Sequence, residues 1–307
     1  MEHLCDLDGL DAAGITDLLD VAESMADILQ RPIPRVPALR GRTVMLLFYE
    51  ASTRTRHSFE LACKALGADS LSLAAQGSSV SKGESLLDTL RTSRALGADC
   101  VVLRHPASGA AEFARRHLEV PVVNAGDGTH AHPTQALADL FTVRRARGRL
   151  AGLQVAIVGD ILHSRVARSD ARAFVTMGAE VRLAGPPPLV PPDAAAALGA
   201  RVYRDLDSAL SGADVVIALR IQRERQEAGL VPGTAEYHRF WGLDPARLAE
   251  RCPDALLMHP GPMNRGVEVS WAAPNLAAAQ MEAQVTAGVA VRMAVLFQLM
   301  GAGGMAA

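Results

Sequence analysis

Five consecutive residues, Ser52-Thr53-Arg54-Thr55-Arg56, interleave three hydroxyls with two guanidinium groups. The apolar run before them, residues 43–48, reads as a buried strand, and Phe59, Ala62 and Leu66 after them share one face of a helix. At such a strand-to-helix turn the first backbone N–H groups lack internal partners and the helix dipole is positive. Added hydroxyls make the turn an anion cradle that needs no glycine loop. N-capping by Ser52 or Thr53 accounts for one hydroxyl only. Arg54 and Arg56 cannot both lie on a buried face, so at least one faces the anion and the other is available as an internal ion-pair partner.

Other polar groups recur where strands end. Gly77 to Glu84 is a Ser/Gly loop that by itself is a solvated connection; beside the cradle, its Lys82 is a cation able to close over a phosphate. Arg104 directly follows the apolar run 100–103, at the carboxyl edge where ligands gather. His130 and His132 form an H-x-H pair, but no acidic or cysteine ligand set with metal spacing follows, and we expect no metal. His132 at the start of a helix, with Gln135 one turn inside, can instead donate to a carbonyl oxygen as negative charge develops; a histidine that merely caps the helix is the alternative. Val158-Gly159-Asp160 lacks the remaining glycines of a dinucleotide fingerprint, so no such cofactor is expected. Arg165 opens a helix against the dipole, which calls for a carboxylate ligand, a packing role or a surface ion pair. Arg220 and Gln222, two apart at a strand end, can share one carboxylate. In His259-Pro260-Gly261-Pro262 the prolines fix a turn whose carbonyls can accept from an uncharged NH₂ group.

These groups need a frame to hold them. The 307 residues suggest two domains, and with 49% hydrophobic residues each can bury a core. A net charge of −2 implies no basic face, so the arginine clusters point to small anions and no nucleic-acid partner. Four scattered cysteines read as buried, reduced thiols. No secretory leader is evident and no stretch approaches ~18 uncharged apolar residues, so we expect a cytoplasmic chain with no membrane partner. Candidate strands at 43–48, 69–73, 100–103, 120–123, 154–158, 180–183, 214–219 and 255–258 alternate with helical patterns, notably 84–96 and 135–143. That alternation gives an α/β class with two doubly wound parallel-sheet domains and the active site in the cleft between them. The expected division is residues 1–143 and 144–283, with a C-terminal helix, 284–307, packing back on the first domain. Two apolar stripes flank the whole: Ile15, Leu18, Leu19, Ala22, Ala26 and Leu29 near the start, and Val285, Val289, Met293, Leu296 and Met300 near the end. A long polar excursion is expected from Arg220 to Trp241.

The pentapeptide 52–56, followed by Ser58-Phe59-Glu60, resembles the carbamoyl-phosphate motif of the aspartate and ornithine carbamoyltransferase family. The other motifs follow in family order over nearly the entire chain, with no departure at a matched polar position. Threonine in His132-Pro133-Thr134-Gln135 and the string from His259 to Glu268 resemble the aspartate branch, whereas ornithine enzymes carry cysteine at these places. The resemblance implies carbamoyl transfer from carbamoyl phosphate to L-aspartate, the second step of pyrimidine synthesis, without a cofactor. It implies that Ser52, Thr53, Arg54 and Thr55 hold the phosphate, and that Thr55, Arg104 and His132 polarise the carbonyl. Gln135, Gly261 and Pro262 would orient the NH₂ group, while Arg165, Arg220 and Gln222 hold aspartate. In this family the loop matching Ser78 and Lys82 reaches a neighbouring subunit's site, so Lys82 would join the phosphate and aspartate groups in trans within a homotrimer. A carbamoyltransferase for another amino acid, or a non-catalytic paralogue serving as an assembly partner, are the alternatives.

Overall fold

The computed structural model describes residues 1–74, 83–221 and 233–301. The chain divides into two compact units, Met1–Ala138 with Val285–Ala307, and Asp139–Gln284. Helix α1 (Ala12–Leu29) opens the first unit, N-capped by the Asp11 carboxylate, which accepts from Gly14 N at 2.8 Å. Its buried face holds the expected stripe, except that Met25 and Ile28 are buried and Leu29 is only half-buried.

The next elements alternate: β1 (Thr43–Phe48), α2 (Thr53–Leu66), β2 (Asp69–Ala74), α3 (Leu86–Ala95), β3 (Cys100–His105), α4 (Ala110–His117), β4 (Val122–Asp127) and α5 (Pro133–Arg147). The strands pair in parallel in the order β2-β1-β3-β4. Strands β1, β3 and β4 are buried almost residue by residue, as a parallel sheet requires, and Met45, Leu47, Val101, Leu103 and Val122 pack on Leu90 and Ala114. Strand β4 runs further than the apolar pattern indicates. Its Asn124 and Asp127 satisfy each other, with Nδ2 donating to Oδ1 at 2.8 Å, and so enter the sheet at almost no exposure.

The second unit continues with β5 (Gln154–Val158), α6 (Arg165–Thr176), β6 (Glu180–Ala184), α7 (Pro192–Ala197), β7 (Arg201–Tyr203), α8 (Leu206–Leu210), β8 (Val215–Ala218), α9 (Thr234–Trp241), α10 (Pro245–Arg251) and β9 (Leu256–Met258). Its five-stranded sheet is again parallel, in the order β7-β6-β5-β8-β9. The expected class, two parallel-sheet α/β domains, is what the chain forms. Strand β7 was not expected, because three residues with an arginine at one end carry no periodic signal. The polar excursion is also shorter than expected: its last eight residues form α9, which buries Tyr237 and Trp241, spaced four apart on one face.

Helix α11 (Met281–Met300) closes the chain and, from Val285 onward, belongs to the first unit. Among the described residues it alone is long and apolar enough to cross a membrane, with a mean hydropathy of 1.4, but 61% of that stretch is buried within the fold. It is a core helix. Val285 is 52% exposed, so the buried stripe starts later than expected. Arg292, buried in this helix, donates to Gly288 O at 2.8 Å and lies 5.2 Å from the centre of the Phe59 ring.

Candidate active site

In each sheet the chain leaves the central strands in opposite directions, between β1 and β3 in the first unit and between β5 and β8 in the second. Ligands of doubly wound sheets gather beyond the carboxyl ends at these points. In the first unit, Ser52 takes the N-cap position of α2 with extended backbone, yet its hydroxyl makes no capping hydrogen bond. The hydroxyl is therefore not consumed by the helix. Thr53 and Arg54 are exposed on the first turn, and Thr55 is buried. Arg56 lies 3.5 Å from Glu60, one turn further along the helix, as an ion pair.

Phe48 pairs with Arg104, so the cradle and this arginine leave the sheet at the same level. The register of β3 against β4 shifts between Leu103 and His105: Arg104 alone on β3 faces Ala125 and Gly126 on β4, so the extra residue is a bulge in β4 beside Arg104. The guanidinium donates to Ala125 O at 3.1 Å and lies 3.5 Å from Glu50. Burial lowers the pKa of the neighbouring His105. Beyond β4, His132 precedes the Pro133 start of α5, is 4% exposed, and its carbonyl accepts from Gln135 N at 3.0 Å. Gln135 is half-buried on the first turn.

The turn before His132 is fixed by a residue the sequence did not single out. The Asp127 carboxylate accepts from Ala131 N at 3.1 Å, Asn124 Nδ2 at 2.8 Å and Gly109 N at 2.6 Å, and His130 lies 3.1 Å away. His130 therefore turns its Nδ1 to Asp127. Among the described residues no group of His, Cys, Asp and Glu clusters as metal ligands would.

In the second unit, Arg165 is the first residue of α6, 4% exposed, beside Ser164, whose hydroxyl caps the helix by accepting from Ala167 N at 3.1 Å. Gly159 lies at the end of β5 with φ +132°, and a Cβ there would meet Leu219 Cβ at 3.0 Å. Only glycine lets the ends of β5 and β8 approach this closely. Arg220 follows directly and is half-buried. Beyond β9, Gly261 sits at φ +68°, and Pro262 is exposed after a cis peptide bond. Ser78, Lys82 and Gln222 lie outside the described residues.

Burial pushes the thiols of Cys5 and Cys63 up to about 12 and that of Cys252 to about 11, and it also raises Cys100. None is a thiolate at neutral pH, so these cysteines offer no nucleophile. Each switch point thus carries cationic and hydrogen-bond-donating side chains, groups suited to anionic ligands.

Two family models match in succession: "Aspartate/ornithine carbamoyltransferase, carbamoyl-P binding domain" over residues 2–145, and "Aspartate/ornithine carbamoyltransferase, Asp/Orn binding domain" over residues 151–299. The chain belongs to the aspartate/ornithine carbamoyltransferase family. Among its carbamoyltransferase relatives, the aspartate carbamoyltransferase catalytic subunit of Pelotomaculum thermopropionicum is 57% identical over 302 residues, covering 98% of this chain and 97% of that one. The aspartate transcarbamoylase of Trypanosoma cruzi, solved with carbamoyl phosphate and aspartate, is 29% identical at a TM-score of 0.87, covering 97% of this chain and 96% of that one. The ornithine carbamoyltransferase of Pyrococcus furiosus is also 29% identical, at a TM-score of 0.86, covering 98% and 97%. The carbamoyltransferase fold is thus common to both branches.

Proposed function

We propose that the chain transfers the carbamoyl group of carbamoyl phosphate to L-aspartate, giving N-carbamoyl-L-aspartate and phosphate for pyrimidine synthesis. The observation that carries the phosphate half is the N-terminus of α2, with its Ser52 hydroxyl unspent, at the level of Arg104 on the adjacent strand. The aspartate half rests on Arg165 and Arg220 at the ends that flank the second switch point, with Gln222 following. The 57% identity to an aspartate-specific relative supports aspartate over ornithine.

In this reading Ser52, Thr53, Arg54 and Thr55 hold the phosphate. Thr55, Arg104 and His132 donate to the carbonyl oxygen, and Gln135 with the Gly261 and Pro262 carbonyls orients the NH₂ group. Arg165 takes the α-carboxylate of aspartate, and Arg220 with Gln222 takes the β-carboxylate. The aspartate amine attacks the carbonyl carbon, a tetrahedral oxyanion forms, and the bond from carbon to the phosphate oxygen breaks. The departing phosphate accepts the amine proton, so no side chain acts as nucleophile or cofactor. Holding two ligands in attack geometry supplies up to ~7–11 kcal/mol, and each oxyanion donor ~3–4 kcal/mol. Lys82 reaches the site of a neighbouring subunit in a homotrimer, and the enzyme works in the cytoplasm.

The test is carbamoyl-amino-acid formation with aspartate and ornithine side by side, on the wild-type chain and Arg54→Ala, with a mass measurement of the assembly. Wild type should use aspartate, and Arg54→Ala should abolish turnover. A near-normal rate in Arg54→Ala defeats the cradle. A bisubstrate analogue that binds without any turnover of the substrates defeats the enzyme reading.

A further inference from the structure

Glu268, 1% exposed, is buried in the second unit and makes two contacts that reach the proposed site. Its Oε1 lies 3.1 Å from His259 Nε2 and accepts the Asn264 backbone N–H at 2.5 Å. On the far side of the ring, His259 Nδ1 accepts the Gly261 N–H at 2.8 Å. A ring nitrogen that accepts carries no proton, so the imidazole proton is on Nε2 and is donated to Glu268. The ring therefore links the carboxylate to the Gly261 peptide in one fixed sense. His259 is itself held at its backbone, where its N–H donates to Gln284 Oε1 at 2.9 Å, while Gln284 Nε2 donates to Asp139 at 2.8 Å. The second contact leads elsewhere. Asn264 Nδ2 donates at 3.2 Å to the carbonyl of Ile221, the residue directly after Arg220.

We infer that Glu268 is a positioning residue that sets two arms of the site together: the Gly261–Pro262 carbonyls through His259, and the Arg220 strand end through Asn264. Burying a carboxylate costs solvation that a neighbouring partner only offsets, so replacing the Glu268–His259 pair together by well-packed apolar residues would stabilise the fold at least as well. What an apolar residue cannot do is fix a ring tautomer and a backbone N–H in a chosen direction. The inference rests on the carbamoyl-transfer reading, in which the Gly261–Pro262 turn meets the carbamoyl NH₂ group and Arg220 meets aspartate.

The test uses the full-length enzyme, with inorganic phosphate as an inhibitor competing with carbamoyl phosphate to report on the first-unit cradle alone. Glu268→Met, which keeps the volume and removes the acceptors, should lower kcat and raise KM for aspartate by about tenfold each, with phosphate inhibition unchanged to within about twofold. Glu268→Gln keeps an oxygen for both donors and should return to within about threefold of wild type. Asn264→Ala, at a half-buried position, should raise KM for aspartate and leave kcat nearly unchanged; with Glu268→Gln it keeps the test decisive if Glu268→Met does not fold. A purely structural role predicts lower Tm with wild-type kinetic constants. That result, Glu268→Gln faring no better than Glu268→Met, or an unmoved aspartate KM in Asn264→Ala overturns the inference alone. A wild-type chain that forms no carbamoyl aspartate overturns the functional reading, and the inference with it.

Discussion

Ser52 separates capping from ligand binding more cleanly than any other residue of the cradle. The N-cap residues Asp11, Ser85, Ser164, Asp205 and Asp244 each accept a backbone N–H of the helix they start, and Ser52 does not. Replacing a working cap by alanine costs ~1 kcal/mol. Ser52→Ala removes no such bond and should leave Tm within about 1 °C of wild type. Asp244, whose carboxylate accepts from Ala246 N at 2.9 Å and Arg247 N at 3.0 Å, is the control, and Asp244→Ala should lower Tm by about 2–4 °C. If the Ser52 hydroxyl donates to a phosphate oxygen, its loss forfeits a hydrogen bond to a charged group, ~1.5–3 kcal/mol or roughly 10- to 150-fold in affinity. Thermal melting and the rate of carbamoyl aspartate formation against carbamoyl phosphate concentration read the two effects separately. A Tm fall in Ser52→Ala matching that in Asp244→Ala, with a wild-type KM for carbamoyl phosphate, would refute this division of roles.

Two further outcomes follow, one from buried charge and one from the proposed sharing of sites between subunits. Burial, reinforced by the neighbouring Asp139 carboxyl, raises the pKa of Asp170 well above its ordinary value of 3.8. A carboxyl with a higher pKa folded than unfolded holds its proton more tightly in the native state. Its stabilising contribution is full below the ordinary value and is lost as pH rises through the folded pKa. Asp170→Asn should therefore flatten the decline of Tm with rising pH above that range, and parallel Tm curves for variant and wild type would contradict the assignment. If the site is shared as proposed, Lys82→Ala and Arg54→Ala should each be inactive alone, and dissociating and reassociating them 1:1 should restore about a quarter of the sites, as random closed rings require. No recovery in reassociated trimers would place Lys82 in its own subunit's site.

How much of this was legible before the structure depends on whether a signal was local. Strands 43–48 and 154–158 were bounded correctly because an unbroken apolar run ends in polar residues at both sides. Strand β4 was placed early because Asn124 and Asp127 look like loop residues until their mutual hydrogen bond is visible. Periodicity found the body of α11 and missed its start, since Val285 has the right spacing but lies on a turn the core does not cover. Site residues at strand ends, such as Arg104 and Arg220, could be named from position. The residues that orient them could not. Asp127, Glu268 and Gln284 act through partners up to 145 positions away, and no spacing rule connects Gln284 with Asp139.

The parallel register also explains why a site can be assembled from motifs so far apart in the chain. Phe48 lies opposite Arg104 and His105 opposite Asp127, so three strand ends leave the sheet at nearly one level, each beside a group proposed to meet the ligand. A donor in the role proposed for His132 is useful there only if its direction is set in advance, because reorienting it as charge develops would consume the stabilisation it supplies. The Asp127 carboxylate fixes the backbone one residue earlier by accepting the Ala131 N–H, and the β4 bulge at Ala125 and Gly126 lies beside Arg104, whose guanidinium donates to Ala125 O. Both devices act on backbone rather than on side chains. With the proposed roles of Arg104 and His132, the rate depends on strand register as much as on the identity of the polar residues, and a substitution which shifts β3 against β4 should disable both together while leaving each in place.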